Sequence, residues 1–353
     1  MLLLLLLCVL FCAGAWSRES GKLSMPLIKV GYTDGASYFG NYFRDVLRRT
    51  NLADSTFVRD PAPEARVDIL LFSVFGTRHR NIIAKKRVLL LYESKFQWQK
   101  VGNVDVIVCG FRDCNARAVD APPERLPKNV YLPLFAACFS EINMQTENAL
   151  IVRKRRIPLN EKPHFAAYMY SNCEAKYREE FFDALVAAAK EAGQKPPRAV
   201  GRCQGSSTPP LSRHLFDRSI NSENSGDSDE TTYLDLAIKR YESYRWAIVF
   251  ENHWSRHIEG YVSEKMTAAM LAETIPIYYG APDVGEIFNP ASFVNCRAFD
   301  TLRACADEVV RIDSDAAAYQ KIQAEPWVLD RGDAASFLDR NKVAQFLTNI
   351  LIL

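Results

Sequence analysis

The chain has 353 residues, of which 48% are hydrophobic and 24% are charged, with 44 Lys and Arg against 42 Asp and Glu. This globular composition excludes a wholly disordered chain and a multi-spanning membrane protein, and the length suits two domains of about 150 residues each. The near balance of charge argues against a dedicated nucleic-acid-binding protein, which would carry a basic excess.

An apolar, leucine-rich segment opens the chain. Residues 2–16 carry no charge and include Ala13-Gly14-Ala15 near their end. The run is shorter than the ~20 residues that span a bilayer comfortably, and its Ala-x-Ala sequence suits a secretory signal peptide cleaved after Ala15. A short signal anchor is the alternative, because some secretory-pathway membranes are thin. We expect residues 1–22 to lie outside the folded domains and to direct the chain into the secretory pathway.

Nine cysteines bear on the compartment. Cys8 and Cys12 lie in the apolar segment, which leaves seven for a lumenal domain. An oxidising lumen favours disulfides, and the odd number leaves at least one thiol free or paired between chains. The sequence has no C-x-x-C pair, which argues against zinc-ribbon and thioredoxin-like proteins. The pairing of the cysteines stays open at this stage.

Short apolar runs alternate with helical patterns in the first half of the chain. Continuous apolar runs separated by helices are typical of a parallel sheet that is buried on both faces. The pattern lapses into a polar and basic stretch near residues 147–160, where we place the domain junction. The predicted strands are Leu27–Thr33, Val67–Ser73, Arg87–Tyr92 and Asp105–Phe111, and the predicted helix is Ser37–Asn51.

The alternation resumes in the second half and predicts a second α/β unit. We therefore expect two tandem Rossmann-like domains, residues 23–150 and 151–353, with a ligand in the crevice at the carboxyl ends of the strands. A polar segment at residues 204–231 is predicted to be a surface loop. The predicted strands are Phe165–Ser171, Arg198–Cys203, Trp246–Phe250 and Ile275–Tyr279, and the predicted helices are Tyr177–Gly193, Tyr233–Tyr241, Ser263–Glu273, Thr301–Ile312 and Ala334–Leu351.

Several familiar motifs are incomplete. The glycines after the first strand are not spaced as G-x-G-x-x-G, and no G-K-[ST] follows, which argues against dinucleotide and P-loop sites. His253 and His257 are four residues apart but lack the glutamate of H-E-x-x-H. Two D-x-D tripeptides, which hold a divalent metal in one sugar-transferase architecture, begin at Asp227 and Asp313, and neither ends an apolar strand. We therefore expect no protein-bound metal.

The stretch from Trp246 to Phe299 carries the polar residues best placed for chemistry. Its first apolar strand ends in Glu251-Asn252, and Tyr261-Val-Ser-Glu264-Lys265 opens the next helix. A lysine and the free backbone N–H groups at a helix N-terminus favour anionic oxygens such as those of a diphosphate. The pattern predicts an anion site at the rim of the second sheet.

These segments resemble the donor-binding signature of the α-1,3-fucosyltransferases, glycosyltransferase family 10. The order of the segments matches the family, and the resemblance is good over residues 165–299 and weaker over residues 27–139. The separation of Asn252 and Tyr261 exceeds the family's usual spacing, with the additional residues between His253 and Gly260. The matching segments are Phe250-Glu251-Asn252, Tyr261–Lys265, Ile275–Gly280 and Asn289–Val294, with Ser171-Asn172-Cys173 followed by Arg178, Val200–Cys203 and Leu89–Ser94 upstream.

The resemblance implies a GT-B fold, in which the second domain holds GDP-fucose and the first presents the acceptor. It also implies an inverting transfer of fucose in α-1,3 linkage, which needs a base on the acceptor hydroxyl and charge acceptors for the leaving diphosphate. Glu93 matches the position of the base, and Arg178 and Lys265 match the cations that hold the diphosphate. The alternatives are a surface carboxylate for Glu93 and ordinary helix salt bridges for the two cations.

The remaining implications concern the donor, the metal and the compartment. Glu264 would hydrogen-bond sugar or ribose hydroxyls, and Tyr261 and Asn252 would contact the donor. No bound metal is required, although Mn²⁺ or Mg²⁺ could stimulate by pairing with GDP. The acceptor would be an oligosaccharide or glycoprotein, with N-acetylglucosamine or glucose as the accepting sugar. The expected location is the Golgi membrane, with the catalytic domain in the lumen and only the N-terminal segment in the membrane, or outside the cell if the leader is cleaved.

Two other functions stay open at this point. One is a non-catalytic glycan- or nucleotide-binding protein on the same fold, which the additional residues before Tyr261 would suit. The other is a transferase of the same fold that uses another nucleotide-sugar donor. The sequence does not identify the acceptor, and Phe96, Trp98 and Trp254 are only candidate sugar-stacking side chains, for which core packing is the alternative.

Overall fold

The computed structural model describes ten ranges of the chain. Within the described ranges, no helix is long and apolar enough to cross a membrane. The N-terminal segment 1–22, the aromatics Phe96, Trp98 and Trp254, His253 and the D-x-D tripeptide at Asp227 lie outside these residues. The described ranges are 27–36, 43–44, 46–50, 54–93, 101–114, 128–137, 161–212, 233–252, 257–329 and 333–352.

The first half of the chain forms a parallel six-stranded sheet with the order β2-β1-β3-β4-β5-β6. Consecutive residues of its central strands are buried, as expected for a sheet covered on both faces. In β4 the four residues Val88 to Leu91 are all buried. The strands are β1 (Lys29–Thr33), β2 (Thr56–Arg59), β3 (Arg66–Phe72), β4 (Ile83–Leu91), β5 (Val106–Cys109) and β6 (Lys128–Tyr131).

The second half forms a parallel five-stranded sheet with the order β11-β10-β9-β7-β8. Strand β9 is the most buried of its strands, and Trp246 to Phe250 are inaccessible to solvent. Its neighbours β7 and β10 pair with it in parallel, so all three deliver their carboxyl ends to one edge. The strands are β7 (His164–Tyr168), β8 (Arg198–Ala199), β9 (Tyr244–Phe250), β10 (Ile275–Tyr279) and β11 (Val294–Asn295).

Helices connect these strands and close the chain. The segment predicted as one helix at 334–351 is two, because Asp339 ends the first and accepts hydrogen bonds from the backbone N–H groups of Asn341 and Lys342, as N-terminal caps do. The helices are α1 (Leu134–Ala137), α2 (Lys176–Glu191), α3 (Tyr233–Tyr241), α4 (Glu264–Leu271), α5 (Val284–Ile287), α6 (Leu302–Ser314), α7 (Ala316–Ala324), α8 (Asp333–Leu338) and α9 (Arg340–Ile352).

The last helix crosses back to the first domain. Lys86 Nζ in β4 donates a hydrogen bond to Ile350 O in α9 at 3.3 Å. Arg49 Nη1 donates to Asn341 Oδ1 at 3.4 Å. The carboxyl terminus therefore packs on the domain that begins the chain and does not stay with the second sheet.

Three disulfides lie within the described residues. They join Cys109 to Cys114, Cys173 to Cys203 and Cys296 to Cys305. The second ties the loop before α2 to the segment that follows β8, beside the carboxyl edge of the second sheet. Cys138, the seventh cysteine outside the N-terminal segment, is not among the described residues.

Candidate active site

A cleft of about 260 Å³ lies between the two domains at the carboxyl ends of their strands. The first domain contributes Glu93 and Leu134, and the second contributes Arg178 in α2, the segments that follow β7 and β9, and the start of α4. All six residues selected from the sequence line this cleft, so folding brings together side chains that are up to 172 residues apart. The selected residues are Glu93, Arg178, Asn252, Tyr261, Glu264 and Lys265.

Glu93 stands at the end of the central strand of the first sheet. Strand β4 ends at Leu91, Tyr92 is buried behind it, and Glu93 is partly exposed where it lines the cleft. Burial raises the pKa of the Glu93 carboxyl, Lys265 opposes this rise, and the carboxylate of Glu264 adds to it. A carboxylate with a raised pKa at the rim of a cleft is suited to proton transfer.

The side chain of Arg178 is held at the edge of the second sheet by a backbone carbonyl at the end of β9. It lies in the first turn of α2 and is 3% exposed. Its Nε and Nη2 donate to Phe250 O at 3.1 and 2.7 Å, and its guanidinium lies 4.3 Å from the centre of the Tyr170 ring. These contacts hold a permanent positive charge at the cleft wall without a carboxylate partner among the described residues.

Lys265 and Glu264 form the first turn of α4. Lys265 Nζ lies 3.1 Å from Glu264 Oε1 and 3.4 Å from Ser263 Oγ, and both members of the ion pair are partly exposed. The ion pair lies at the N-terminus of a helix, where backbone N–H groups favour anions. An incoming diphosphate would compete with Glu264 for this lysine.

Tyr261 and Asn252 complete the wall of the cleft. Tyr261 is 6% exposed, and burial together with the carboxylates of Glu251 and Glu93 raises the pKa of its hydroxyl, so it stays protonated as a hydrogen-bond donor. Asn252 is half-buried and comes two residues after β9 ends. Both side chains are placed to contact a ligand in the cleft.

Seven further residues of the cleft lining were not selected from the sequence, and two of them, Glu251 and Tyr170, are buried polar side chains. Glu251 is 1% exposed, and its Oε1 accepts a hydrogen bond from the backbone N–H of Ser263 at 2.8 Å. Tyr170 is buried, and its hydroxyl donates to Ile248 O at 2.8 Å. The position of Glu251 directly after an apolar strand was a usable indication, whereas nothing in the local sequence marks Tyr170.

Of the incomplete metal motifs, only the D-x-D tripeptide at Asp313 lies wholly within the described residues, and its two aspartates make other contacts. Asp313 accepts from Arg245 Nε at 2.7 Å and from Trp246 Nε1 at 2.8 Å, so this D-x-D aspartate is an internal counter-charge. The Oδ1 of Asp315 accepts from backbone N–H groups at the start of α7, where Asp315 is the cap. The single group of possible ligand atoms in the described residues is Cys173, Glu179 and Cys203, and both cysteines are in a disulfide.

The loop before α4 docks onto the first domain. Tyr131 Oη donates to Gly260 O at 2.9 Å. Arg112 Nε donates to Asp283 Oδ2 at 2.6 Å, and its Nη2 donates to Asp333 Oδ2 at 2.5 Å. The additional residues that precede Tyr261 thus end in a contact between the domains, close to the cleft.

Gly260 provides a test of this contact. It has φ of +77°, and a Cβ there would lie 2.8 Å from both Arg112 Cγ and Tyr131 Oη. Gly102 is the matched control, because it has φ of +74° but a Cβ there would have no neighbour within 4 Å. An Ala variant at Gly102 therefore has the same backbone strain without the crowding. The left-handed backbone should lower the free energy of unfolding of each Ala variant by about 1 kcal/mol. Gly260→Ala should lower it further because of the crowding, and thermal unfolding of both variants measures the difference. Equal losses would show that the domains do not pack closely at this glycine.

The fold is also found in solved transferase structures. A crystal structure of an α1,3-fucosyltransferase superposes with a TM-score of 0.61 and 18% identity, covering 96% of this chain and 93% of that one. An α-glucosyltransferase in complex with UDP-glucose and DNA has a TM-score of 0.51 with 11% identity, covering 92% of this chain and 99% of that one. The chain has the GT-B architecture of two Rossmann-like domains, and the predicted fold class is confirmed.

The family follows from the second domain. Residues 159–324 match the family model described as "Glycosyltransferase family 10 (fucosyltransferase) C-term". The match covers the part of the chain built on the second sheet, so the resemblance inferred from the motifs is confirmed.

Two curated relatives agree with the family assignment. A putative fucosyltransferase of Acanthamoeba polyphaga mimivirus is 27% identical over 197 residues, which cover 54% of this chain and 29% of the relative. The α-(1,3)-fucosyltransferase FucT of Helicobacter pylori is 29% identical over 182 residues, which cover 52% of this chain and 30% of the relative. The matches span less than a third of each relative's length.

Proposed function

We propose that this protein is an inverting fucosyltransferase that moves fucose from GDP-β-L-fucose to a hydroxyl of a glycan in α-1,3 linkage. The observation that carries the proposal is the shared cleft, where a carboxylate of the first domain faces two cations of the second. The family match supports a fucose donor, and one solved α1,3-fucosyltransferase of the same fold was crystallised with GDP-fucose. The acceptor is a glycan, with N-acetylglucosamine or glucose as the proposed accepting sugar.

The proposed mechanism divides the work between the domains. Glu93 removes the proton from the acceptor hydroxyl as its oxygen attacks the anomeric carbon, which inverts the β linkage of the donor into an α linkage. Arg178 and Lys265 stabilise the negative charge that develops on the departing GDP. Because these interactions strengthen as the bond to the diphosphate breaks, they lower the barrier more than they tighten substrate binding.

The other residues of the cleft orient the donor. Glu264 is proposed to accept hydrogen bonds from sugar or ribose hydroxyls, while Tyr261 and Asn252 contact the donor from the wall. The two side-chain cations take the charge that a bound metal would otherwise neutralise, so Mn²⁺ or Mg²⁺ is proposed to act only by pairing with GDP. The three disulfides support a place of action in the oxidising secretory pathway, with the Golgi lumen as our proposal.

A donor-by-acceptor screen tests the proposal. Purified protein is incubated with GDP-fucose, GDP-mannose or UDP-sugars and a panel of β-galactosyl-N-acetylglucosamine and related acceptors. We expect fucosylated product and GDP only with GDP-fucose. Transfer from a different nucleotide sugar would make the chain a transferase with another donor, and GDP binding without transfer to any acceptor would favour a non-catalytic binding protein.

The raised pKa of Glu93 predicts the acid side of the pH profile. The base is active only when ionised, so kcat/KM should fall as the pH drops through the pKa of Glu93, which burial places above the ordinary 4.5. The measurement is the initial rate at low acceptor concentration across the acidic range, with thermal unfolding at each pH as the control for stability. A rate that stays constant to below pH 4.5 would contradict this role.

A further inference from the structure

Glu251 is a buried acid that the proposed mechanism leaves without a role. Its carboxylate lines the cleft but is 1% exposed, and it accepts hydrogen bonds from the backbone N–H and the side chain of Ser263. A Cβ on Gly280 would lie 2.5 Å from Glu251 Cγ, and the Tyr177 hydroxyl donates to Glu251 O. The side chain is therefore closely packed and almost inaccessible to solvent.

The cleft holds more acids than bases. Its lining includes three carboxylates, those of Glu93, Glu251 and Glu264, and two cations, Arg178 and Lys265. With every group ionised the formal charge of the lining is negative, yet the ligand proposed for the cleft is itself an anion. Two or more further negative charges from a nucleoside diphosphate would leave the lining more negative than its two cations balance, which favours the uptake of a proton.

The charge of Lys265 is the main influence that favours the ionised form of Glu251. Burial raises the pKa of the Glu251 carboxyl, and the charge of Lys265 is the main influence that lowers it. A diphosphate bound to Lys265 would cancel that support and add negative charge nearby. The titratable groups around Glu251 are Glu264 and Lys265 in α4, Tyr278 in β10, Tyr261 before α4, Tyr177 and Arg178 in α2, Tyr170 after β7, and Glu93 after β4.

We propose that donor binding is coupled to protonation: Glu251 takes up one proton from solvent when a nucleoside diphosphate occupies the cleft. The proton balances part of the added charge, and a buried carboxyl without a counter-ion is more stable when neutral. The neutral acid still has a carbonyl oxygen to accept from Ser263 N–H, so the start of α4 keeps its position. This inference rests on the proposed GDP-sugar site and assigns to it a positioning residue that also accepts a proton.

Titration calorimetry of GDP in buffers with different ionisation enthalpies measures the coupling. At a mildly alkaline pH, where free GDP is already fully ionised, we expect wild-type protein to take up nearly one proton per GDP bound. Glu251→Gln keeps an acceptor for Ser263 N–H but cannot gain a proton, so its uptake should be close to zero. Glu180→Gln, an exposed change on α2, should behave as the wild type.

The outcomes separate this inference from the function on which it rests. No binding of GDP, seen as no heat in any of the buffers and no GDP retained with the protein in equilibrium dialysis, would refute the donor site itself. GDP binding with no proton uptake in the wild type, or with equal uptake in Glu251→Gln, would overturn the assignment to Glu251. If Glu251→Gln does not fold, the GDP-induced infrared difference spectrum of the wild type decides, because a newly protonated carboxyl must appear and its absence overturns the proposal.

Discussion

Glu93→Gln should lower the turnover number by about 10²-fold or more while leaving GDP affinity nearly unchanged. Gln has almost the same size and still forms hydrogen bonds, but it cannot accept the acceptor's proton. The proposed donor contacts lie on the second domain and do not involve this side chain directly, so binding of GDP should survive. Initial rates of transfer and calorimetric GDP affinities on the same preparations measure both quantities.

The matched control for this prediction is Glu180→Gln. Glu180 is an exposed carboxylate on α2, so the same chemical change there should leave both rate and affinity as in the wild type. Turnover of Glu93→Gln close to that of the control would remove Glu93 from the role of base. A loss of GDP affinity as large as the loss of rate would show that the substitution disturbs the cleft as a whole.

Lys265→Ala should weaken GDP binding by about tenfold or more, because a charge-assisted hydrogen bond to a phosphate contributes about 1.5–3 kcal/mol. The substitution also leaves Glu264 without its ion-pair partner beside the diphosphate, which adds repulsion. Guanosine, which lacks the phosphates, should bind to the variant as it does to the wild type. A loss of affinity for GDP but not for guanosine would show that Lys265 contacts the diphosphate.

Lys190→Ala is the control for the lysine. Lys190 is exposed near the end of α2 and lies outside the cleft, so its removal should not change the affinity for either ligand. An unchanged GDP affinity in Lys265→Ala would refute the proposed contact. An equal loss for GDP and guanosine would place the effect on the nucleoside and contradict the assignment to the diphosphate.

The sequence predicted the buried strands of both sheets well because their apolar runs are continuous. It missed β2 and β11, and it missed β6, where only Val130 is buried, because short edge strands with polar residues lack that pattern. It also missed α7, whose alanines give little amphipathic periodicity after the Asp315 cap. These elements depend on neighbours that are distant in the chain.

The site could be predicted from the sequence where a polar residue lies close to the end of a buried strand or the start of a helix within a recognisable motif. Glu93 after β4 and Lys265 at the start of α4 are of this kind, and both line the cleft. The hydrogen bonds of Arg178 to Phe250 O join residues 72 apart and carry no local pattern. The burial of Glu251 likewise depends on Gly280, which directly follows the next strand, β10.

The stereochemistry of the product tests the account most directly. Proton NMR of the fucosylated acceptor, formed from GDP-β-L-fucose, distinguishes the two anomers while the released GDP is quantified in the same tube. We expect α-linked fucose with one GDP per fucose transferred, since direct attack by a hydroxyl deprotonated by Glu93 must invert the anomeric carbon. A β-linked product would mean retention and would contradict a single displacement with Glu93 as the base.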